Sequence, residues 1–243
     1  METRSDYDHV RYGRQMLLTG WGQEGQARLK ASTVFIAGAG GLGSPVSLYL
    51  AAAGVGQIRI CDADEVELSN LNRQLLHADR NIGELKAESA RKTLEALNPT
   101  INILAYPDFL DAASLERIVG QPNIIVDCLD NFETRYLLNA YCLQHKIPLV
   151  HGAIWGLTGQ VTFIEPPHTP CLKCLFPEPP APETFPVVGV TPGLVGCIQA
   201  TEVLKYLVDL GTNLRGRLLM IDGEEIEFTI IDVDKMPACP VCS

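Results

Sequence analysis

A chain of 243 residues, 47% of them hydrophobic, can bury one substantial core and lies at the upper end of single-domain size. Its formal net charge of -10 argues against a nucleic-acid partner, because binding phosphates by counterion release needs a basic face. Residues 1–14 are charged and lack the apolar run of a leader peptide, and no stretch reaches the roughly 18 apolar residues of a spanning helix. The sequence therefore predicts a soluble, cytoplasmic protein without a membrane partner. Eight cysteines would suit a disulfide scaffold, but a chain this long does not need one, so reduced thiols and a metal site are the better reading.

Residues 1–32 precede the first strand. Within them, 7–31 carry apolar residues at irregular helical spacing, broken by Gly20-Trp21-Gly22, and predict two short helices. Residues 33–62 read as strand, glycine turn, helix and strand. Gly38, Gly40 and Gly43 satisfy G-x-G-x-x-G directly after a β-branched strand, and Asp62 follows about 20 residues on, where an acid accepts ribose hydroxyls. The helix beyond Gly40 offers unpaired N–H groups to an anion. This is a nucleotide cradle, but not a P-loop, since Ser44-Pro45 follows Gly43 and any phosphate-binding lysine must come from elsewhere.

Ser69-Asn70-Leu71-Asn72-Arg73-Gln74 lies just beyond the second strand. Residues 83–97 predict an amphipathic helix with Leu85, Ala90, Leu94 and Leu97 inward and Lys86 near its start. A lysine there opposes the helix dipole and hints at a bound anion. A strand at 101–105, a helix at 112–119 and a fully buried strand at 123–129 follow, the last ending in Asp130-Asn131. A helix at 132–145 and a strand at 147–150 complete a pattern that implies a doubly wound parallel sheet. From residue 156 the pattern changes to period two, at 159–164, 217–221 and 226–232, which predicts antiparallel strands. A Pro-rich stretch, 165–192, lies between, with nine prolines in 28 residues, and precedes a helix at 194–210. The expected organisation is one α/β domain over 1–243, with a nucleotide-binding half at 33–151 and a second half at 152–243 carrying the loop and tail.

Two Cys-x-x-Cys pairs, Cys171/Cys174 and Cys239/Cys242, supply the four thiolates of a structural zinc site that would pin the C-terminal tail to the root of the loop. Cys61, Cys128, Cys142 and Cys197 read as core residues, and His77, His145, His151 and His168 show no mutual metal spacing. Asp62, Arg73, Lys86 and Asp130 should all fall near the carboxyl ends of the parallel strands. Two cations and an acid able to hold magnesium suit chemistry on a triphosphate. A nicotinamide-dependent oxidoreductase would also use the glycines and Asp62, but would leave Arg73, Lys86, Asp130 and the cysteine-held tail unexplained.

Taken together, Arg11-Tyr12-Gly13-Arg14-Gln15, Gly38 through Gly43, Asp62, Ser69 through Gln74, Lys86, Asp130-Asn131 with Arg135, and the four knuckle cysteines resemble the ThiF/MoeB/HesA adenylyltransferases, relatives of ubiquitin-activating enzymes. The resemblance spans nearly the whole chain. It implies ATP-dependent adenylylation of the C-terminal glycine of a ubiquitin-like sulfur carrier ending in Gly-Gly, in a thiamin, molybdopterin or related pathway. It further implies that Gly41, Asp62, Asp64, Ser69, Asn70, Arg73, Lys86 and Asn131 hold the nucleotide and that Asp130 binds magnesium. Arg14 would reach the site of the other subunit of a homodimer. An acceptor other than a carrier is the nearer alternative. Many relatives place a cysteine in the Pro-rich loop for a covalent intermediate; residues 179–189 contain none, which fits delivery of sulfur to the adenylate by another protein.

Overall fold

The computed structural model describes residues 4–179 and 186–242. Eight strands, β1 Thr33–Ala37, β2 Gln57–Cys61, β3 Asn102–Tyr106, β4 Ile124–Asp127, β5 Leu149–Trp155, β6 Thr158–Ile164, β7 Arg217–Asp222 and β8 Glu227–Asp232, form one sheet ordered β3-β2-β1-β4-β5-β6-β7-β8. The first five are parallel and the last three are added antiparallel. The strand order reverses between β1 and β4, where an open α/β sheet leaves a crevice beyond the carboxyl ends of its strands.

The helices are α1 Arg4–Met16, α2 Gly22–Ala31, α3 Gly43–Ala53, α4 Lys86–Leu97, α5 Leu115–Val119, α6 Phe132–His145, α7 Leu172–Leu175 and α8 Val190–Val208. Alternation along β1 sends Val34 and Ile36 to one face, where they pack with Leu50 of α3, Leu94 of α4 and Val203 of α8. Phe35 and Ala37 go to the other, against Ile118 of α5 and Leu138 and Cys142 of α6. A strand covered on both faces must be apolar throughout, which is why β4 reads as an unbroken apolar run before Asp127.

Three expectations change. The strand expected at 147–150 is β5, which runs on to Trp155: β6 pairs with it from Leu149↔Ile164 to Trp155↔Thr158, keeping it extended past the end of β4. The helix expected from residue 194 begins at Val190, since Pro192 falls in the first turn, where a missing N–H breaks no helical hydrogen bond. Leu85 and Leu97, expected inward, are 38% and 39% exposed at the two ends of α4, while Ala90 and Leu94 are fully buried. Part of the Pro-rich loop, 180–185, lies outside the described residues; the rest contains α7 and the start of α8.

Candidate functional site

Two glycines of the turn have no room for a side chain. Gly38 has φ +101°, and a Cβ there would stand 2.6 Å from the carbonyl oxygen of Cys128, just beyond β4. A Cβ on Gly43 would stand 2.0 Å from the carbonyl of Gly38, so any side chain would push α3 off the turn. The Asp62 carboxylate accepts the N–H of Ala39 at 2.8 Å and of Asp64 at 3.0 Å, tying the turn to the end of β2. Burial raises its pKa, against the pull of Lys86 and these two donors. Ser44 donates to the Gly40 carbonyl at 2.8 Å and accepts the N–H of Leu76 at 3.3 Å, and His77 Nε2 meets the Ala39 carbonyl at 2.9 Å. The 69–77 loop is therefore fastened to the turn.

That loop carries the first cation. Arg73 donates to the Ser69 carbonyl at 2.8 Å and to Asn72 Oδ1 at 2.9 Å, both neutral acceptors, and its Cγ lies 3.8 Å from the Cβ position of Gly41. Asn70, 7% exposed, accepts the Glu67 N–H and shapes the loop, whereas Ser69 is exposed. Lys86 is the first residue of α4. Its Nζ lies 2.9 Å from Asp64 Oδ2, with the lysine side chain 9% exposed and the aspartate 66%. The lysine expected to face a bound anion thus already has a carboxylate, and a nucleotide must share or displace a well-solvated partner.

Asp130 is exposed at the bend between β4 and α6, where Asn131 caps the helix by accepting the Thr134 N–H at 2.9 Å. Beneath the bend lies a buried charged group that the sequence did not announce. Asp127, 1% exposed, accepts the Leu129 N–H at 3.0 Å and meets His151 Nδ1 at 2.6 Å. Its Oδ2 lies 3.4 Å from Arg135 Nε, and Arg135 donates to the carbonyls of Leu129 at 2.5 Å and Gly152 at 3.2 Å. Burial alone would raise the Asp127 pKa; Arg135 and the His151 hydrogen bond overcome it and hold the carboxyl below its usual range.

Cys171, Cys174, Cys239 and Cys242 gather with their sulfurs within 4.8 Å of one another. Neighbouring sulfurs stand 3.9, 3.7 and 3.5 Å apart. Disulfides would need about 2.05 Å. A tetrahedron with zinc–sulfur arms of about 2.3 Å has edges of about 3.8 Å, so the cluster has the dimensions of a four-thiolate zinc site. The first knuckle also leans on α6: Leu172 donates to Asn139 Oδ1 at 2.9 Å, and Tyr136 Oη to the Phe176 carbonyl at 2.7 Å.

The sequence model of the ThiF family matches residues 12–241. The chain belongs to the ThiF family. It is 47% identical over 238 residues to the SAMP-activating enzyme E1 of Haloferax volcanii, spanning 96% of this chain and 88% of that protein. It is 44% identical over 251 residues to the sulfur carrier protein adenylyltransferase of Thermus thermophilus, spanning 99% and 92%. Against the adenylyltransferase and sulfurtransferase MOCS3 of Culex quinquefasciatus it is 44% identical but spans only 55% of that longer protein. Among solved structures, the microcin C7 biosynthetic enzyme MccB in complex with N-formylated MccA superposes with a TM-score of 0.88 at 23% identity, over 98% of this chain and 77% of that one, a likeness of fold.

For this ThiF-family chain the structure brings Asp62, Asp64, Arg73 and Lys86 around the glycine turn, and Asp130 lies exposed just beyond the end of β4. Arg14 is exposed on α1 and stands outside this group. Asp127, His151, Ser44 and His77 were given no site role by the sequence reading. His77 meets the turn only after the 69–77 loop folds over it; Ser44 meets it locally, and its adjacency to Gly43 was the one available signal. Cys61, Cys128 and Cys142 are core residues whose thiols burial pushes up, as expected. Cys197 is only half-buried, because α8 turns that position partly outward.

Two expected results follow from this geometry. Elemental analysis should find about one zinc per chain, and chelation should leave the sheet folded while opening the segment after β8 to protease; a metal-free, protease-resistant tail would contradict it. Burial also lowers the pKa of His77 and His151, so both take up a proton less readily in the fold than in the unfolded chain. Unfolded histidines titrate near ~6.5, so below that pH the unfolded chain binds more protons and stability falls as pH drops. The urea midpoint should fall between about pH 7 and 5.5, with a shallower slope in His77→Gln; an unaltered slope in that variant would count against the assignment.

Proposed function

We propose that this ThiF-family chain uses ATP to adenylylate the C-terminal glycine of a small ubiquitin-like sulfur carrier, releasing pyrophosphate. The observation that carries the reading is the near-full-length kinship with enzymes named for activating SAMP and a sulfur carrier, in a chain whose glycine turn is flanked by Arg73 and Lys86. In the proposed step a carboxylate oxygen of the carrier attacks the α-phosphorus. The bond to the β-phosphate oxygen breaks, and pyrophosphate leaves with that electron pair. No general base is required, since the nucleophile is already ionised. Negative charge grows on the transferred and leaving groups, and fixed cations in a crevice answer it without reorganising.

Gly38, Gly40, Gly41, Gly43, Asp62, Asp64, Ser69, Asn70 and Asn131 form the proposed nucleotide site. Asp130, an exposed oxygen donor at a strand end, suits magnesium, which prefers one or two carboxylates plus phosphates and water; bound there, the ion would neutralise phosphate charge. Four thiolates at tetrahedral spacing suit zinc in a purely structural role. Residues 152–243 are the proposed carrier-binding half. The proposal extends to a homodimer in which Arg14 reaches the partner's crevice: Arg14 shares a face of α1 with Val10, which is 84% exposed, and Leu17 beyond is 82% exposed. No cysteine lies between Cys174 and Cys197, so sulfur is proposed to reach the adenylate from another protein. The test is ATP–pyrophosphate exchange against a panel of small carriers ending in Gly-Gly. Exchange that requires one of them supports the reading, and exchange driven by free amino acids or peptides alone overturns the choice of acceptor.

A further inference from the structure

The cradle contains one polar side chain that the fold leaves unused. Gln74 is 5% exposed, and its Oε1 is buried with no hydrogen-bond partner among the described residues. Its Nε2 lies 3.5 Å, and its Cδ 3.9 Å, from where a Cβ on Gly40 would stand. The amide therefore stands beside the second glycine of the turn, one van der Waals contact away from where a Cβ would be. The buried oxygen is an acceptor that an anion would not satisfy; the atom that faces the turn is the Nε2 donor, and no acceptor among the described residues takes it. Its placement is also rigid. The Gln74 N–H is held by the Asn70 carbonyl at 3.0 Å. Two and three residues further on, Leu76 is held by Ser44 and His77 meets the Ala39 carbonyl. The loop is thus fastened to the turn just after Gln74, while the amide itself stands beside the turn without bonding.

We infer that Gln74 is a phosphate-contacting residue, donating an amide N–H to a non-bridging oxygen of the nucleotide where it passes over Gly40. The inference rests on the nucleotide reading of the turn. Consecutive residues then divide the work: Arg73, whose Cγ lies beside Gly41, brings charge, and Gln74, beside Gly40, brings a neutral donor of fixed direction. An amide can present either end by flipping. The anion selects the nitrogen, because oxygen facing phosphate would be repelled. A neutral donor at this position adds affinity for the phosphates without the charge of a further cation, which would lower the pKa of the nearby Asp62 carboxyl and compete with Lys86 for Asp64.

Two near-isosteric variants test it. Gln74→Met removes the donor and fills the same volume with apolar atoms; Gln74→Glu keeps the shape and sets a carboxylate against the phosphate. Calorimetric titration with Mg-ATP and with adenosine should show Mg-ATP affinity falling about 10-fold or more in Gln74→Met, as expected for a hydrogen bond to a charged group, and further in Gln74→Glu. Adenosine affinity should stay within about twofold of the parent. Gln74→Met should be as stable as the parent or more so in urea, because an unsatisfied amide has been replaced by apolar atoms. Mg-ATP affinity within twofold of the parent in both variants would overturn the inference. So would a parallel loss of adenosine and ATP binding, or a loss of stability in Gln74→Met, either of which marks a structural amide. A parent protein that bound no Mg-ATP would overturn the nucleotide reading itself, whereas a parent that binds, with indifferent variants, overturns only the role of Gln74.

Discussion

Arg73→Ala, Lys86→Ala and Asp130→Ala should each lower carrier-dependent ATP–pyrophosphate exchange by on the order of 10²–10³, the loss typical of removing one preorganised electrostatic contact from a transition state. The fold should survive all three, for reasons specific to each residue. Arg73 donates only to the Ser69 carbonyl and the Asn72 side chain, so its removal strands no charge. Lys86 faces Asp64, which is 66% exposed and remains hydrated when the lysine is lost. Asp130 is exposed, and its bend is held from below by Arg135 and Asp127 rather than by its own side chain. A lost exchange rate with an unshifted urea midpoint is therefore the expected pairing for each variant. Arg73→Lys keeps the charge but not the planar fork and should recover only part of the loss. Near-normal exchange in any of the three alanine variants would remove that residue from the proposed machinery.

What could be read in advance depended on whether the constraint was local in sequence. Gly38 and Gly43 were legible because the close approaches they allow, to Cys128 and to each other, exclude every side chain; Gly40 completes the motif, and Asp62 follows at a fixed strand-and-helix distance. The thiol cluster was legible from two short knuckles even though 68 residues separate the cysteines that meet across it. The length of β5 was not, because its last four residues are extended only by pairing with β6, which lies across a hairpin. Period reading placed Leu85 and Leu97 inward, but Leu85 precedes α4 as its N-cap, nearly opposite Leu94 by helical angle, and Leu97 is the last residue of the helix. Asp127, Arg135 and His151 could not be grouped at all. They come from β4, α6 and β5 and meet only when the sheet is closed and α6 is laid on it.

That buried group supplies the second large expected effect. Arg135→Met should destabilise the fold by about 3–5 kcal/mol, the cost of leaving a buried charge without its partner. Asp127 is 1% exposed, and its other neighbour, His151, has its pKa lowered by burial, which makes it a weaker partner for the carboxylate than the guanidinium. A buried ion pair as a whole adds little net stability, so the penalty belongs to the stranded carboxylate and not to the lost attraction. The double variant Arg135→Met with Asp127→Asn removes the stranded charge and keeps an oxygen for His151; it should be more stable than Arg135→Met alone, a non-additivity that a urea-denaturation cycle measures directly. Additive losses would show that Arg135 acts by packing over the Phe132 ring, 5.1 Å from its guanidinium carbon, instead of by charge. The same pair fixes the Leu129 backbone at both its N–H and its carbonyl, one residue before Asp130. If Asp130 receives magnesium as proposed, the double variant, though folded, should need more magnesium for half-maximal exchange than the parent does, because that acid is no longer held in place.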